Sequence, residues 1–199
     1  MDTLQTERRD MTIKAKKLRN EGYVPGNIFG HAIEGSIPVK ISGRELEKLL
    51  KTNDKGSRIN LLLDGKTYNV LIKETQYDSM KRRFNTIDFQ ALVSGEMVQT
   101  TAKVEILNRD EVKEGILEQE LEEISYSALP EDLIDKVVID VAKLKLEEKV
   151  LVKDLDLAKN PKIHLHTDPE AIVAVVARMH KAQEEEPAAT ADETPAAEG

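Results

Sequence analysis

The chain has 199 residues, enough for one large or two ordinary domains with their own cores, and carries 29 Lys+Arg against 37 Asp+Glu, a net charge of -8. Its apolar fraction is 40%, but aromatics make up only 4% and Trp is absent, so Leu, Ile and Val must fill those cores. There is no Cys, which excludes disulfides, thiolate nucleophiles and Cys-ligated zinc or iron–sulfur sites and fits a reducing compartment.

Residues 1–10 are polar and charged rather than signal-like, and they suit a short edge strand. No apolar run approaches the roughly 20 residues that cross a membrane, so a soluble, cytoplasmic protein with no membrane contact is expected. The mean charge hides an asymmetry. Residues 1–92 hold 17 Lys+Arg against 12 Asp+Glu, a net of +5, and residues 93–199 hold 12 against 25, a net of -13. Two domains with different partners follow from such a split, the basic one being the candidate nucleic-acid binder.

Residues 8–19 gather Arg8, Arg9, Lys14, Lys16, Lys17 and Arg19. Residues 13–20 favour a short helix, with Thr12 as its N-cap and Gly22 at its end. Only Ala15 and Leu18 offer it a packing stripe, so it depends on its neighbours. Residues 23–26 (YVPG) read as a turn. Residues 27–30 and 36–41 read as strands around a loop. Ser42 and Glu45 form a capping box for a helix over 43–52 with Leu46, Leu49 and Leu50 inward. The next element is a hairpin: Ile59, Leu61 and Leu63 alternate, Asp64-Gly65 turns, and Tyr68, Val70 and Ile72 alternate again. A second cationic knot, Lys81-Arg82-Arg83, precedes an alternating Ile87, Phe89 and Ala91. Strands at this spacing predict a small mixed sheet or barrel.

Residues 93–95 make a boundary. Residues 98–107 predict a strand, and residues 108–115 a polar loop. Residues 116–129 are ambiguous, because Leu117, Leu121 and Ile124 keep a helical period while Ser125, Tyr126 and Ser127 favour strand. Strands are expected around 137–141, 150–152, 163–165 and 172–177, with a single helical turn within 152–157. Residues 183–199 hold six acids, no Lys or Arg and two Pro, a composition that stays disordered.

Chemistry of the enzymatic kind finds little footing here. There is no nucleophile elbow and no phosphate-cradling glycine loop. His164 and His166 point to one face of a strand, but they have no third ligand at a helpful spacing and read as solvated. No catalytic residue, metal or cofactor is expected. The two cationic clusters are different in kind, because Lys and Arg neutralise phosphates and release counterions. Specific RNA readout adds stacking and edge hydrogen bonds, and Phe29, Asn27, Thr86 and Asp88 lie in the same half. From spacing alone three readings stay open: RNA, a protein partner with an acidic surface, or a plain solvated face.

The run KKLRNEGYVPGNIFG resembles the arginine-rich, Gly, Pro, Tyr-Gly motif of the bacterial large-subunit ribosomal protein that binds 5S rRNA, in its two-domain general-stress (Ctc) form. The likeness continues through LIKETQYD and NTIDFQAL, then GILEQELEEI, ALPEDL, VVIDVAKLKLEEKVLVKDL and HTDPEAIVAVV. It implies a mainly β fold with short helices (α+β): an N-terminal β-barrel domain over 1–92, a β-rich C-terminal domain over 93–182 and the acidic tail over 183–199. It makes residues 116–127 strand, against the helical period. It implies a non-enzymatic protein that holds 5S rRNA through the basic domain. The net charge of -7 over residues 93–182 points the other domain toward neighbouring large-subunit ribosomal proteins, and a monomer is expected off the ribosome.

Lys14, Lys17 and Arg19 then contact phosphates or base edges, and Gln76 and Asp88 match family residues near RNA. With Arg8, Arg9, Lys16, Phe29, Lys81, Arg82, Arg83 and Thr86 they complete the expected RNA-binding set. The chain departs from the pattern at three places. Phe29 stands where the family usually has Tyr, and Thr86 where it usually has His. Residues 11–14 (MTIK) replace a glycine-flanked lysine loop. Each lost hydrogen bond costs about 0.5–1.5 kcal/mol, so the alternative is a divergent stress-response interaction factor with weakened 5S rRNA binding.

Overall fold

The computed structural model describes residues 2–31, 33–111, 115–142 and 144–177. Six strands, β1 (Thr3–Arg8), β2 (Tyr23–Phe29), β3 (Ser36–Ser42), β4 (Arg58–Leu63), β5 (Lys66–Asp78) and β6 (Arg83–Ala91), close into a barrel. Their order is β1-β3-β2-β6-β5-β4. The parallel pairing of β1 with β4, from Thr3 opposite Asn60 to Thr6 opposite Leu63, closes it. Closure removes the open edges that a flat sheet of this size exposes. Alternation decides what faces inward: Ile59, Leu61 and Leu63 on β4 and Ile87, Phe89 and Ala91 on β6 are buried. Asp64 (φ 50°) and Gly65 (φ 77°) both take positive φ, as the tight β4–β5 turn requires.

Two short helices pack on the barrel, α1 (Ala15–Asn20) and α2 (Gly43–Leu49). Both are shorter than the sequence predicts. α1 starts two residues late because Thr12 bonds Asp10 through its amide (2.8 Å) and hydroxyl (2.7 Å) instead of capping the helix. Ser42 precedes α2 without a capping hydrogen bond, and the helix stops before Leu50. The expected turn at residues 23–26 is instead the opening of β2. Pro25 is tolerated because the ladder to β6 begins only at Gly26, so its missing donor falls where that side of β2 is not yet paired. Gly26 is needed for a different reason. A Cβ there would meet the Ile87 carbonyl, so only glycine lets β2 and β6 approach this closely.

After residues 92–97 come β7 (Val98–Leu107), β8 (Ile116–Gln119), β9 (Glu123–Ala128), β10 (Lys136–Asp140), β11 (Lys149–Leu151), β12 (His164–Leu165) and β13 (Ile172–Ala177), with the single-turn α3 (Asp156–Lys159). They form a four-stranded sheet, β10-β7-β9-β12, and a three-stranded one, β11-β13-β8. The helical reading of residues 116–129 fails here. Ile124, Tyr126 and Ala128 are buried while Ser125 and Ser127 are only half-buried, a period of two. The Leu117–Leu121–Ile124 spacing instead joins residues of two strands and the bend between them. Tyr126, fully buried, accepts from the Ile134 amide (2.8 Å) and donates to the Ile134 carbonyl (2.9 Å). Burial pushes its phenol upward in pKa.

The barrel core and this second core share no residue. Several polar contacts join the two units. Arg58 donates to the Pro130 carbonyl (2.7 Å) and Lys73 to that of Gln99 (2.8 Å). Lys55 pairs with Glu123 (3.0 Å), while Asp54 faces Lys103 (3.2 Å) and Lys136 (4.0 Å). Burial, then neighbouring Lys55, lowers the Lys73 pKa. Gly56 (φ 92°) lies so close to the Thr101 carbonyl that a Cβ would strike it. The acidic segment 183–199 lies outside the described residues.

Candidate nucleic-acid interface

The strands β2, β6 and β5 are neighbours in the barrel wall, and their outward side chains make one polar face. Because Ile87, Phe89 and Ala91 point inward, Thr86, Asp88 and Gln90 point out. Gln76 lies opposite Thr86, and Glu74 opposite Asp88. On the other side Asn27 lies opposite Asp88, and Phe29 opposite Gln90. Asn27 donates its Nδ2 to Asp88 Oδ1 at 3.1 Å. Phe29, Gln76, Thr86 and Asp88 therefore share one surface, although 61 positions in the chain separate Asn27 from its partner. Register shifts between Ile72 and Glu74 and between Gln76 and Tyr77 bend β5 beneath this face and re-aim its side chains.

The cations divide into those tied internally and those left open. Arg8 is bound to Asp64 at 2.7 Å. Arg9 is half-buried; its guanidinium reaches the Ile13 carbonyl at 3.5 Å and its Nε is buried without a partner. Arg8 thus ties the end of β1 to the β4–β5 turn, and Arg9 reaches into the loop that carries the chain from β1 to α1. Lys17 sits 4.0 Å from Glu21, and Lys81 sits 3.6 Å from Asp78. The Lys81 amide also donates to Asp78 at 3.0 Å, and that bond is the main reason the Asp78 carboxyl is held below the usual range. The side chains of Lys14, Lys16 and Arg82 have no hydrogen-bond or ion-pair partner among the described residues, and all three are exposed. Arg82 occupies the β5–β6 turn with φ 48°, a conformation that pushes it to the tip.

The two cationic clusters meet. Arg19 on α1 donates to the carbonyl of Asn85 at 3.2 Å, and Arg83 donates to the carbonyl of Arg19 at 3.3 Å. Asn85 is one residue from Thr86, so α1 is anchored beside the polar face. Sequence reasoning passed over the exposed Tyr77 (54% accessible), next to Gln76, whose ring meets Phe84 edge-on with centroids 5.0 Å apart. An aromatic four residues before Lys81 was the available signal. It also passed over Glu74, which nothing in its spacing marked.

This surface offers carboxylate acceptors, amide and hydroxyl groups, the half-buried aromatic Phe29 and flanking free cations. It has no nucleophile–base pair and resembles a recognition surface. His164 and His166 lie elsewhere and are exposed; His166 Nε2 is 2.6 Å from the Ser127 hydroxyl. No helix among the described residues is long and apolar enough to cross a membrane.

Comparison with known proteins agrees along both halves. A model described as the Ribosomal L25p family matches residues 4–89, and one described as Ribosomal protein TL5, C-terminal domain, matches residues 97–179. The chain is similar to proteins named large ribosomal subunit protein bL25 from several bacteria. It is 36% identical to that of Carboxydothermus hydrogenoformans over 185 residues, covering 90% of this chain and 91% of the relative. The Listeria monocytogenes protein is 31% identical over 192 residues (94% and 90%), and that of Thermoanaerobacter pseudethanolicus 30% over 173 (86% and 85%). A barrel with a cation-flanked polar face, followed by a second β-rich unit and matched over most of its length by such relatives, places this chain in the bL25 family, a family of large-subunit ribosomal proteins rather than enzymes.

Proposed function

We propose that this protein binds 5S rRNA through the outer face of β2, β6 and β5 and the cations of α1 and the β5–β6 turn. The observation that carries the reading is that free cations flank a face able to read base edges. Lys14, Lys16, Lys17, Lys81 and Arg82 would lie along phosphates. Gln76, Thr86 and Asp88 would meet base edges or 2′-hydroxyls, and Phe29 would pack on a ribose or base. Arg9 would support the loop before α1, and Arg8 would hold the end of β1 to the β4–β5 turn.

The working unit for RNA is residues 1–92. Residues 93–182, with 12 Lys+Arg against 19 Asp+Glu and a net of -7, repel a polyanion. They would face basic surfaces of neighbouring ribosomal proteins in the cytoplasmic large subunit. Off the ribosome the chain would be a monomer, and a general-stress role would act through the same binding.

A gel-shift titration of the full chain with 5S rRNA, beside a transfer RNA of similar charge density, tests this. Tight, strongly salt-dependent binding to 5S rRNA with weaker binding to transfer RNA is expected. Equal affinity for both, or no binding at about 50 mM salt, would leave the stress-response interaction factor as the better reading.

A further inference from the structure

The bonds between Arg19 and Arg83 have a direction that bears on which arginines touch RNA. Arg19 Nη1 donates to the main chain of β6 at Asn85, and Arg83 Nη1 donates back to the main-chain carbonyl of Arg19. Both side chains are only partly accessible, and the Nε of Arg83 is fully buried without a partner. Lys14 and Lys16, by contrast, are exposed. The carbonyl of Arg19 belongs to the last turn of α1, where it accepts only a 3.3 Å bond from the Gly22 amide before Arg83 arrives. A guanidinium there takes up the remaining acceptor capacity of that carbonyl and complements the negative end of the helix. α1 has six residues and one buried side chain, Leu18, too little to hold it alone.

We infer that Arg19 and Arg83 are positioning residues: a reciprocal clasp that fixes α1 against the start of β6, so that Lys14, Lys16 and Lys17 are held in place beside Thr86 and Asp88. The inference rests on the RNA reading above and reassigns two of its expected contacts. The clasp spans 66 and 64 positions of sequence, so it joins two cationic clusters that the chain itself keeps apart. Ordering α1 in advance removes an entropy cost that a free helix would meet on binding.

The test is a double-mutant cycle in the full chain. Arg19→Ala, Arg83→Ala and the double variant are titrated with 5S rRNA across a salt series. Amide hydrogen exchange of the free proteins is measured in parallel. Each single substitution weakens binding by about tenfold, the scale of one charge-assisted hydrogen bond. The double variant is weakened by little more than either single one, because each breaks the same clasp. The slope of log affinity against log salt stays that of the parent, since no phosphate contact is lost. Exchange at Glu21 and Gly22 speeds up in each variant while the barrel strands stay protected. Additive losses, each with a slope reduced by about 0.9, would make both arginines phosphate contacts and overturn the inference while leaving the RNA reading intact. Unchanged exchange at α1 would overturn it without reference to RNA. A parent chain that ignores 5S rRNA would overturn the RNA reading first and the positioning role with it.

Discussion

Removing the open cations gives a magnitude that follows from the surface. Lys14, Lys16 and Arg82 make no internal ion pair or hydrogen bond through their side chains, so the triple variant Lys14→Ala, Lys16→Ala, Arg82→Ala deletes no intramolecular contact of theirs. Surface changes of this kind stay within about 0.5 kcal/mol each, and alanine is a better helix former than lysine at position 16. Circular dichroism and the unfolding midpoint should therefore match the parent. If each cation neutralises one phosphate, the salt slope falls by about 0.9 for each, roughly 2.7 in all. Between about 50 and 200 mM salt the parent should then lose about 40-fold more affinity for 5S rRNA than the variant does. Fluorescence anisotropy with labelled 5S rRNA over that range measures it. A variant with the parent slope would show that these three side chains do not meet phosphates, and the assignment of the interface would fail.

Other expectations concern the scaffold. Tyr126→Phe removes the hydroxyl that both accepts from and donates to Ile134, leaving two part-buried main-chain groups without that partner. Urea unfolding should show a loss of about 2–3 kcal/mol, with 5S rRNA affinity unchanged. Gly56→Ala places a Cβ against the Thr101 carbonyl at φ 92° and should cost roughly 2 kcal/mol or more; a neutral result would mean that the two β units separate freely in solution. The Asp78 carboxyl is depressed below its ordinary 3.8, chiefly by the Lys81 amide. Its stabilisation of the β5–β6 turn is thus complete above the ordinary value and disappears as pH falls through the lowered one. A carboxyl titration followed by NMR should show a midpoint below 3.8, and Lys81 amide exchange should quicken only in acid.

Much of the barrel was legible because its strands obey a period of two and its turns use residues with special dihedrals, as at Asp64-Gly65. What escaped the sequence was decided by partners far along the chain. Pro25 looked like a turn because the start of the β6 ladder one residue later cannot be read locally. Thr12 looked like a cap until Asp10 competed for it. Leu117, Leu121 and Ile124 kept a helical period by coincidence, across the bend between β8 and β9. At the candidate interface, composition located the cations but not their state. Arg8 and Lys14 read alike in sequence; only the barrel brings Asp64 to the first and leaves the second open. The gathering of Phe29, Gln76, Thr86 and Asp88 on one face depends on the β2–β6 and β5–β6 registers, which the family resemblance implied and spacing alone did not.

Hydrogen–deuterium exchange of the full chain with and without 5S rRNA asks where a folded polynucleotide sits. Protection should appear over α1, the outer face of β2 and β6, and β5 from Glu74 onward, and leave β7, β9 and β13 unchanged. Protection confined to residues 98–177, or none at low ionic strength, would contradict the account.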